Sequence, residues 1–353
     1  MIHDNRECSQ HMVRSTYRIT RAGSLRRLKR FNEELPAPQD SEVTVEVRAI
    51  GLNFADVFTV LGLYRAAPRS ACVPGIEFSG VVIACGRHVT GLRSGDRVMG
   101  SIRFGAYTTH LNIDQRYVMP IPAEWSFEEG ASFIVQALTA YYALVPLGNL
   151  QAHQTVLIHS AVGGVGIYAN RIAKRFSAFT IGTVGAAGKV GLAREEGYDA
   201  VIVRRRSFPR DLRSALAGRP LNLVLDSLGG RIQRQSFRAL AETGRLVAYG
   251  LSEFGSRRPT PNYARLAWRY AWLPRYHTLS LIEWNRSLLG FNLIWLYDRV
   301  DLLRTMLQEI QALELPRPRV GALYDFADMH GALTHFQSGT TTGKVVVRTG
   351  EGA

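Results

Sequence analysis

Cysteine is scarce in this chain of 353 residues, which contains only Cys8, Cys72 and Cys85. The count is odd and no two of them form a Cys-x-x-Cys pair, which argues against both a disulfide framework and a structural zinc site. A chain of this kind is typical of a reducing compartment, and we expect a cytoplasmic protein.

Lysine is nearly absent as well, because the only lysines are Lys29, Lys174, Lys189 and Lys344. The basic residues number 43 against 29 acidic ones, and the net charge of +14 raises the question of nucleic acid, an anionic membrane or an anionic ligand. The arginines are scattered, and no nucleic-acid-binding motif accompanies them. We expect no nucleic-acid partner, and the excess reflects either a general preference for arginine or a local anion site.

Long apolar runs are also missing. The N-terminal segment has no run that resembles a signal peptide, and no stretch approaches eighteen uninterrupted apolar residues. The composition, with 46% hydrophobic and 20% charged residues, is that of a globular protein. The length suffices for two domains with separate cores. The sequence therefore predicts a soluble two-domain protein without an integral membrane segment.

The sequence pattern changes along the chain. Residues 43–52 and 80–85 alternate or run apolar between turn residues, and the dense glycine and proline around them predict a β-rich, barrel-like domain. A helical pattern covers 127–149, and beyond it apolar runs alternate with helical ones, which predicts βα units and a doubly wound parallel sheet. The predicted fold class is α/β, with one domain at 1–133 and 300–353 and a parallel-sheet domain at 134–299.

The last hundred residues add three predicted elements. Residues 288–296 (LLGFNLIWL) are predicted to form a strand, 301–313 an amphipathic helix, and 344–347 a closing strand that returns to the first domain. An arginine- and aromatic-rich stretch precedes them. Its tryptophans are interpreted as core or lid anchors: Trp268, Trp272 and Trp284.

A glycine-rich turn carries the main functional signal. The predicted strand TVLIHS leads directly into it, and a helical pattern follows from about Ile167, which is the setting of a dinucleotide-binding fingerprint. Gly163 is predicted to let the backbone approach a pyrophosphate and Gly166 to let helix and strand pack tightly. The alternative is a turn that serves packing alone. The predicted cofactor-binding residues of the turn are Ala161, which replaces the usual first glycine, Gly163, Gly164, Val165 and Gly166.

The type of nicotinamide cofactor is predicted from the end of the next strand. Sites for NAD generally place an acidic residue there to bind the adenosine ribose, and the sequence IGTVGAAGKVG has none. Lys189 follows this strand, and Arg204 follows the one after it, so both cations can converge on a 2′-phosphate. The sequence therefore predicts NADPH rather than NADH. For the neighbouring Arg205 and Arg206, a role as solvated surface charges is the alternative.

Several motifs together resemble a known family over nearly the full length of the chain. They are GLNFADV at 51–57, PGIEFSG at 74–80, GDRV at 95–98, LTAYYAL at 138–144, HSAVGGVG at 159–166, LDSLGG at 225–230 and GKVVV at 343–347. The chain resembles the medium-chain dehydrogenase/reductases, in their zinc-free quinone-oxidoreductase branch, and there it looks most like bacterial relatives of the synaptic-vesicle amine transport protein homologue. The resemblance implies a GroES-like β-barrel catalytic domain joined to a Rossmann domain.

The resemblance also implies a reaction without a metal. Where the zinc enzymes of this superfamily carry a histidine this chain has Ile76, and their early cysteine position falls within 51–53, which holds no cysteine. Without a Lewis acid, alcohol oxidation is poorly supported, whereas a conjugated enone, enal or quinone is already activated toward hydride. The predicted activity is NADPH-dependent reduction of such a small molecule. The resemblance places Asn53 and Thr139 near the nicotinamide and Tyr64 near the substrate, with Asn53 and Tyr64 as candidate catalytic residues.

Alternatives stay open for several of these assignments. Tyr64 is either a hydrogen-bond donor to the substrate or an ordinary half-buried tyrosine. Asp56 is either a proton-relay acid or, as we favour, a helix cap, and His159 is interpreted as a packing residue. A non-catalytic nucleotide-binding or regulatory protein, or a dedicated biosynthetic tailoring reductase or cyclisation enzyme, is the alternative function. The apolar run at 288–296 predicts a homodimer, because it would otherwise leave a bare sheet edge.

Overall fold

The computed structural model describes residues 12–255 and 259–350. Its strands are β1 (Met12–Ile19), β2 (Leu28–Leu35), β3 (Glu42–Gly51), β4 (Glu77–Cys85), β5 (Arg97–Ser101), β6 (His110–Asp114), β7 (Val118–Pro120), β8 (Thr155–Ile158), β9 (Phe179–Val184), β10 (Ala200–Val203), β11 (Leu223–Asp226), β12 (Arg245–Ala248), β13 (Ser287–Gly290), β14 (Val320–Asp325) and β15 (Lys344–Arg348). Its α-helices are α1 (Phe54–Val60), α2 (Phe127–Gly130), α3 (Ile134–Tyr142), α4 (Gly164–Arg175), α5 (Val190–Glu195), α6 (Phe208–Leu216), α7 (Gly230–Ala239), α8 (Tyr263–Ala271), α9 (Thr278–Glu283), α10 (Val300–Ala312) and α11 (Met329–Ser338).

The first sheet has the strand order β14-β15-β3-β4-β5-β7, with β6 paired to β3. β3 is its central strand, since it pairs antiparallel with β15, β4 and β6. Side chains such as Val43, Val45 and Val47 are buried there in the core of this body. The closing strand therefore returns to the first sheet, as the pattern at 344–347 predicts. This body is the GroES-like domain.

The second sheet is parallel throughout and has the order β10-β9-β8-β11-β12-β13. Every residue of β8 and β11 is buried, because helices cover both faces of a doubly wound sheet and its inner strands read as continuous apolar runs. The strand order reverses between β8 and β11, and ligands bind at the carboxyl ends of the strands at such a point. The predicted Rossmann domain is confirmed.

Some element boundaries differ from the sequence prediction. The helix after the glycine-rich turn begins at Gly164 rather than near Ile167, because Gly163 already takes the N-cap position. The helical pattern at 127–149 is divided into α2, α3 and a π-helical turn, Ala143–Leu147, that contains Pro146. Proline lacks the N–H that a regular α-helix needs.

Two predictions for the segment after Gly250 are wrong in part. The strand at 288–296 is only Ser287–Gly290, and Leu293–Leu296 forms a 3-10 turn, because the chain leaves the sheet after Gly290 and crosses toward the first body. The tryptophans interpreted as core or lid anchors are not in the core, since they are 44–66% exposed. They are Trp268, Trp272 and Trp284.

The predicted domain boundaries at 133/134 and 299/300 stay a prediction. α10, which lies after the second of them, packs against α3 through Leu303, Met306 and Ile310 in the core cluster that also contains β8. One apolar segment of the described chain, Phe127–Leu147, is long and apolar enough to cross a membrane, and most of it is buried inside the fold, as in the core helix of a globular protein.

We predict that two copies of the chain associate through β13. This strand lies at the end of the parallel sheet, with β12 on one side and no partner strand on the other among residues 12–255 and 259–350. An unpaired edge of apolar residues such as Leu288 and Leu289 favours pairing with a second chain. Light scattering is expected to give the mass of a dimer, and a monomer at all concentrations would remove this prediction.

Candidate active site

A cleft of about 840 Å³ lies between the two bodies. The first body contributes the segments around α1 and β5, and the second contributes the carboxyl ends of β8, β9 and β11. Every residue predicted as a site residue lines this cleft. They are Asn53, Tyr64, Thr139, Ala161, Gly163, Gly164, Val165, Gly166, Lys189 and Arg204.

The glycine-rich turn opens into this cleft at the N-terminus of α4. The first amides of a helix have no partner within it and carry the positive end of the helix dipole, so they favour an anion. Gly166 is required for packing, because a Cβ there would lie 2.3 Å from the backbone oxygen of Ser160. The loop before β15 lies close to the turn, since the Gly343 amide donates to the Val162 carbonyl at 2.7 Å. The turn is thus closely packed and lines the cleft at the N-terminus of α4.

Lys189 and Arg204 line the same cleft as the glycine-rich turn. Lys189 Nζ donates to the carbonyls of Gly339 and Thr341 at 2.8 and 2.7 Å, and an Arg204 nitrogen donates to Thr183 Oγ1 at 2.9 Å. Burial, with a smaller effect of Arg204, lowers the pKa of Lys189. Neither forms an ion pair with a carboxylate of the described chain. Both side chains therefore line the cleft without a salt bridge in the described chain, and such cations can accept an anion.

Arg204 also occupies the space in which an acidic side chain would lie. Gly185 directly follows β9, and a Cβ on it would meet an Arg204 nitrogen at 3.2 Å. Burial lowers the pKa of Arg204, while Glu253 and Asp226 act in the opposite direction. Arg205 and Arg206, by contrast, are exposed and do not line the cleft. The end of β9 is therefore arranged around a guanidinium.

His159 contacts Thr183, the residue that accepts a hydrogen bond from Arg204. Its ring nitrogens lie 2.9 Å from Thr183 Oγ1 and 2.9 Å from Ser236 Oγ, and the ring is fully buried. Burial, with a smaller effect of Arg204, lowers its pKa to about 3, so the imidazole is neutral. These contacts match the interpretation of His159 as a packing residue.

A buried ion pair lies under the other side of the cleft. Lys344 Nζ is 2.5 Å from Glu77 Oε2, with both side chains at most 2% exposed, and it donates to Asn53 Oδ1 at 2.9 Å. The Asn53 amide nitrogen donates to the Gly51 carbonyl at 3.0 Å, and Glu77 Oε1 accepts the Val135 amide of α3 at 3.0 Å. The pair thus fixes Asn53 and connects the first body to α3.

Asp56 caps α1 next to this cluster. Its Oδ2 accepts hydrogen bonds from the backbone N–H of Asn53 at 2.8 Å and from the Tyr107 hydroxyl at 3.2 Å. Burial raises the pKa of Asp56 to about 7, although both hydrogen bonds and Lys344 act against that shift. Asp56 does not line the cleft, so its geometry is that of the cap rather than of an acid in contact with a ligand.

Tyr64 faces the cleft from the first body. Its hydroxyl donates to Asn292 Oδ1 at 2.9 Å, and Asn292 belongs to the segment that leaves β13. Burial raises the pKa of Tyr64 to about 12, so the hydroxyl keeps its proton at neutral pH. Thr139, on α3, is 8% exposed and donates its hydroxyl to the Val135 carbonyl at 2.6 Å. Tyr64 therefore places a neutral hydroxyl at the cleft, with its proton donated to Asn292.

Family models match both bodies. Residues 39–123 match the alcohol dehydrogenase GroES-like domain, and residues 164–293 match the zinc-binding dehydrogenase model. The synaptic vesicle membrane protein VAT-1 homolog of Rattus norvegicus is 31% identical over 88% of this chain and 78% of its own length. The Danio rerio protein is 32% identical over 89% of this chain, which spans 65% of that relative. The chain belongs to the medium-chain dehydrogenase/reductases, in their quinone-oxidoreductase branch.

Solved structures of this family share the whole fold. The human VAT-1 homolog-like protein is 26% identical and has a TM-score of 0.82 over 97% of this chain and 100% of that one. Escherichia coli quinone oxidoreductase complexed with NADPH is 26% identical, with a TM-score of 0.78 over 95% and 100%. The structure named CurK enoyl reductase is 25% identical, with a TM-score of 0.81 over 95% and 99%. This medium-chain reductase is an oxidoreductase that uses a nicotinamide cofactor.

A larger synthase also contains a similar segment. The highly reducing polyketide synthase ALT1 of Alternaria alternata is 33% identical over 96% of this chain, which spans 12% of that protein. The likeness therefore concerns one domain-sized part of the synthase.

The residues of this medium-chain reductase fit a nicotinamide dinucleotide better than a zinc ion. The α4 N-terminus and the pair Lys189 and Arg204 supply amides and cations for phosphate groups. For a metal, the described ranges contain no group of three or more histidine, cysteine, aspartate or glutamate residues that could hold one. Ile76 lines the cleft next to Glu77, and the ammonium of Lys344 already neutralises Glu77. The side chains at this position therefore provide few ligands for a zinc ion.

Three residues of the site were not assigned a role from the sequence. Glu77 and Lys344 lie in the quoted motifs PGIEFSG and GKVVV, but their pairing across 267 positions has no local signal in the sequence. Asn292 lies in the segment LLGFNLIWL, which a strand prediction alone does not place opposite Tyr64. Their roles depend on tertiary contacts.

Proposed function

We propose that this protein is an NADPH-dependent, zinc-independent reductase that transfers hydride to a conjugated enone, enal or quinone of a small molecule. The observation that carries the proposal is the shared cleft, in which the dinucleotide turn and the protonated hydroxyl of Tyr64 line one cavity. A cofactor on the turn and an acceptor near Tyr64 would then lie next to each other.

The choice of NADPH rests on the end of β9. Arg204 and Lys189 offer a guanidinium fork and an ammonium to a 2′-phosphate, and Gly185 stands where an acidic side chain would be needed to bind the ribose of NAD. Two related structures carry NADPH in their names, those of a mycobacterial protein and of Escherichia coli quinone oxidoreductase. Both observations favour NADPH.

The chain's own residues orient the reactants and hold a proton. Reduced nicotinamide, when bound, supplies hydride, and a conjugated acceptor then develops negative charge on its carbonyl oxygen. The Tyr64 hydroxyl is the donor that would stabilise this charge, and to do so it would turn its single proton from Asn292 Oδ1 to the acceptor oxygen. Phe58, Leu63 and Phe291 line the same cleft and limit water there. The names of relatives, a quinone oxidoreductase and an enoyl reductase, support this class of acceptor.

Replacement of Tyr64 by phenylalanine is expected to lower turnover of a conjugated acceptor about tenfold or more, the scale for the loss of one positioned donor. The affinity for NADPH should stay nearly unchanged, because Tyr64 lies on the first body, away from the glycine-rich turn. Steady-state kinetics and a fluorescence titration of NADPH measure both. Unchanged turnover would reduce Tyr64 to a packing residue.

The same assays distinguish the proposed reductase from two alternative functions. A non-catalytic nucleotide-binding protein would bind NADPH and reduce no acceptor. A dedicated tailoring reductase, which the likeness to a polyketide synthase segment favours, would reduce conjugated acceptors poorly unless they carry its own acyl chain.

The cytoplasmic location stays a prediction.

A further inference from the structure

Large apolar side chains are exposed along one segment of the second body. We name as the aromatic surface six side chains on and after α8 and α9, whose exposed fractions are between 44% and 72%: Trp268, Tyr270, Trp272, Leu279, Ile282 and Trp284. No residue of either helix is buried. The rings of Trp268 and Trp272 lie 6.2 Å apart, and Trp272 and Trp284 line one groove, so these three tryptophans are neighbours on the surface. A contiguous apolar patch of this kind marks an interaction site.

A basic groove continues the aromatic surface. Its volume is about 410 Å³, and Trp272 and Trp284 form part of its wall. Arg234 and Arg238 of α7 and Arg275 line the rest, and no aspartate or glutamate is among the lining residues that the structure describes. The groove therefore adds positive charge directly beside the exposed tryptophans.

The chemistry of this region matches an anionic lipid bilayer. Tryptophan and tyrosine prefer the membrane–water interface, because one end of the ring system is apolar and the other accepts contact with water. Arginines beside them are attracted to anionic headgroups, and the net charge of +14 adds to that attraction. We propose that the aromatic surface and its basic groove dock this protein on an anionic membrane.

A second copy of the chain fits the same region less well. A two-fold symmetric contact uses the same patch of both copies, so it would bring the arginines of both grooves into one interface, with no aspartate or glutamate among the described lining residues to oppose them. Like charges in such a contact are unfavourable. The predicted dimer edge, β13, begins at Ser287, shortly after Trp284 in the chain, so the oligomeric state of each variant is measured as well.

The proposal is tested by sedimentation with vesicles of phosphatidylcholine alone and of phosphatidylcholine with about one third phosphatidylglycerol. We expect binding to the anionic vesicles only, decreasing as salt is added. The double variant Trp268→Ala with Trp272→Ala should lower the partition coefficient about tenfold or more, since both rings lose their apolar contact. Arg234→Gln with Arg238→Gln should weaken binding to anionic vesicles in the same direction.

A matched control removes exposed apolar side chains elsewhere. Phe31→Ala with Leu323→Ala changes residues of the first body that are 38% and 45% exposed, and it should leave vesicle binding unchanged. Thermal unfolding checks that all variants fold. No binding of the wild type to anionic vesicles at low salt, or equal binding of the tryptophan variant, overturns the proposal. A tryptophan variant that changes from dimer to monomer in light scattering also overturns it, because a second copy would then cover the surface.

Discussion

Replacement of Lys344 by methionine is expected to destabilise the protein by about 3–5 kcal/mol. Lys344 is buried and pairs with Glu77, so its removal leaves a carboxylate without its counter-charge in an apolar environment. The Asn53 amide oxygen loses its donor at the same time. The free energy of unfolding, measured by denaturant titration, reports the change.

Two comparisons make this prediction specific. Adding Glu77→Gln to Lys344→Met should restore part of the stability, because the buried charge is then gone. Lys174→Met is the matched control, since Lys174 pairs with Asp199 where both side chains are about one third exposed, and it should cost only about 0–1 kcal/mol. An equal loss in the Lys344 and Lys174 variants would contradict the role assigned to the buried pair.

The second large effect concerns the choice of cofactor. The wild type should bind NADPH at least about tenfold more tightly than NADH, which corresponds to about 1.4 kcal/mol. In Arg204→Ala combined with Lys189→Gln, this preference should disappear while the affinity for NADH changes little. The glutamine retains a donor for the carbonyls of Gly339 and Thr341. Titrations with both nucleotides measure the ratio.

The neighbouring arginines provide the control for this experiment. Arg205→Ala with Arg206→Ala removes two positive charges that are exposed and outside the cleft, so the NADPH preference should be retained. Equal affinities of the wild type for the two nucleotides would refute the assignment of Arg204 and Lys189. So would a preference that survives in the Arg204 and Lys189 variant.

Much of the fold follows from local signals in the sequence. The runs TVLIHS and LNLVLDSL are apolar and short, and the turn at 161–166 between strand and helix has few other uses than a dinucleotide site. Family motifs then predict the first body, the return of the chain at 344–347, and the place of Tyr64. These predictions depend on residues close together in the chain.

The rest depends on contacts between distant residues. The pairing of Glu77 with Lys344 and the contact of Tyr64 with Asn292 join the two ends or the two bodies of the chain, and no periodicity shows them. The tryptophans at 268, 272 and 284, in an arginine- and aromatic-rich stretch, are interpreted from the sequence as core or lid anchors, yet they are exposed. A pattern indicates that a helix has an apolar face, but not what covers it.

The most direct measurement is NADPH oxidation with matched acceptors in the presence of a chelator. Cyclohex-2-enone and quinones should stimulate oxidation and cyclohexanone should not, because residues 12–255 and 259–350 offer no ligand set for a metal that could activate an isolated carbonyl. The chelator should not lower the rate. If NADPH binds but no conjugated acceptor is reduced, the reductase assignment is wrong. If activity disappears together with one bound zinc per chain, the reaction depends on a metal after all.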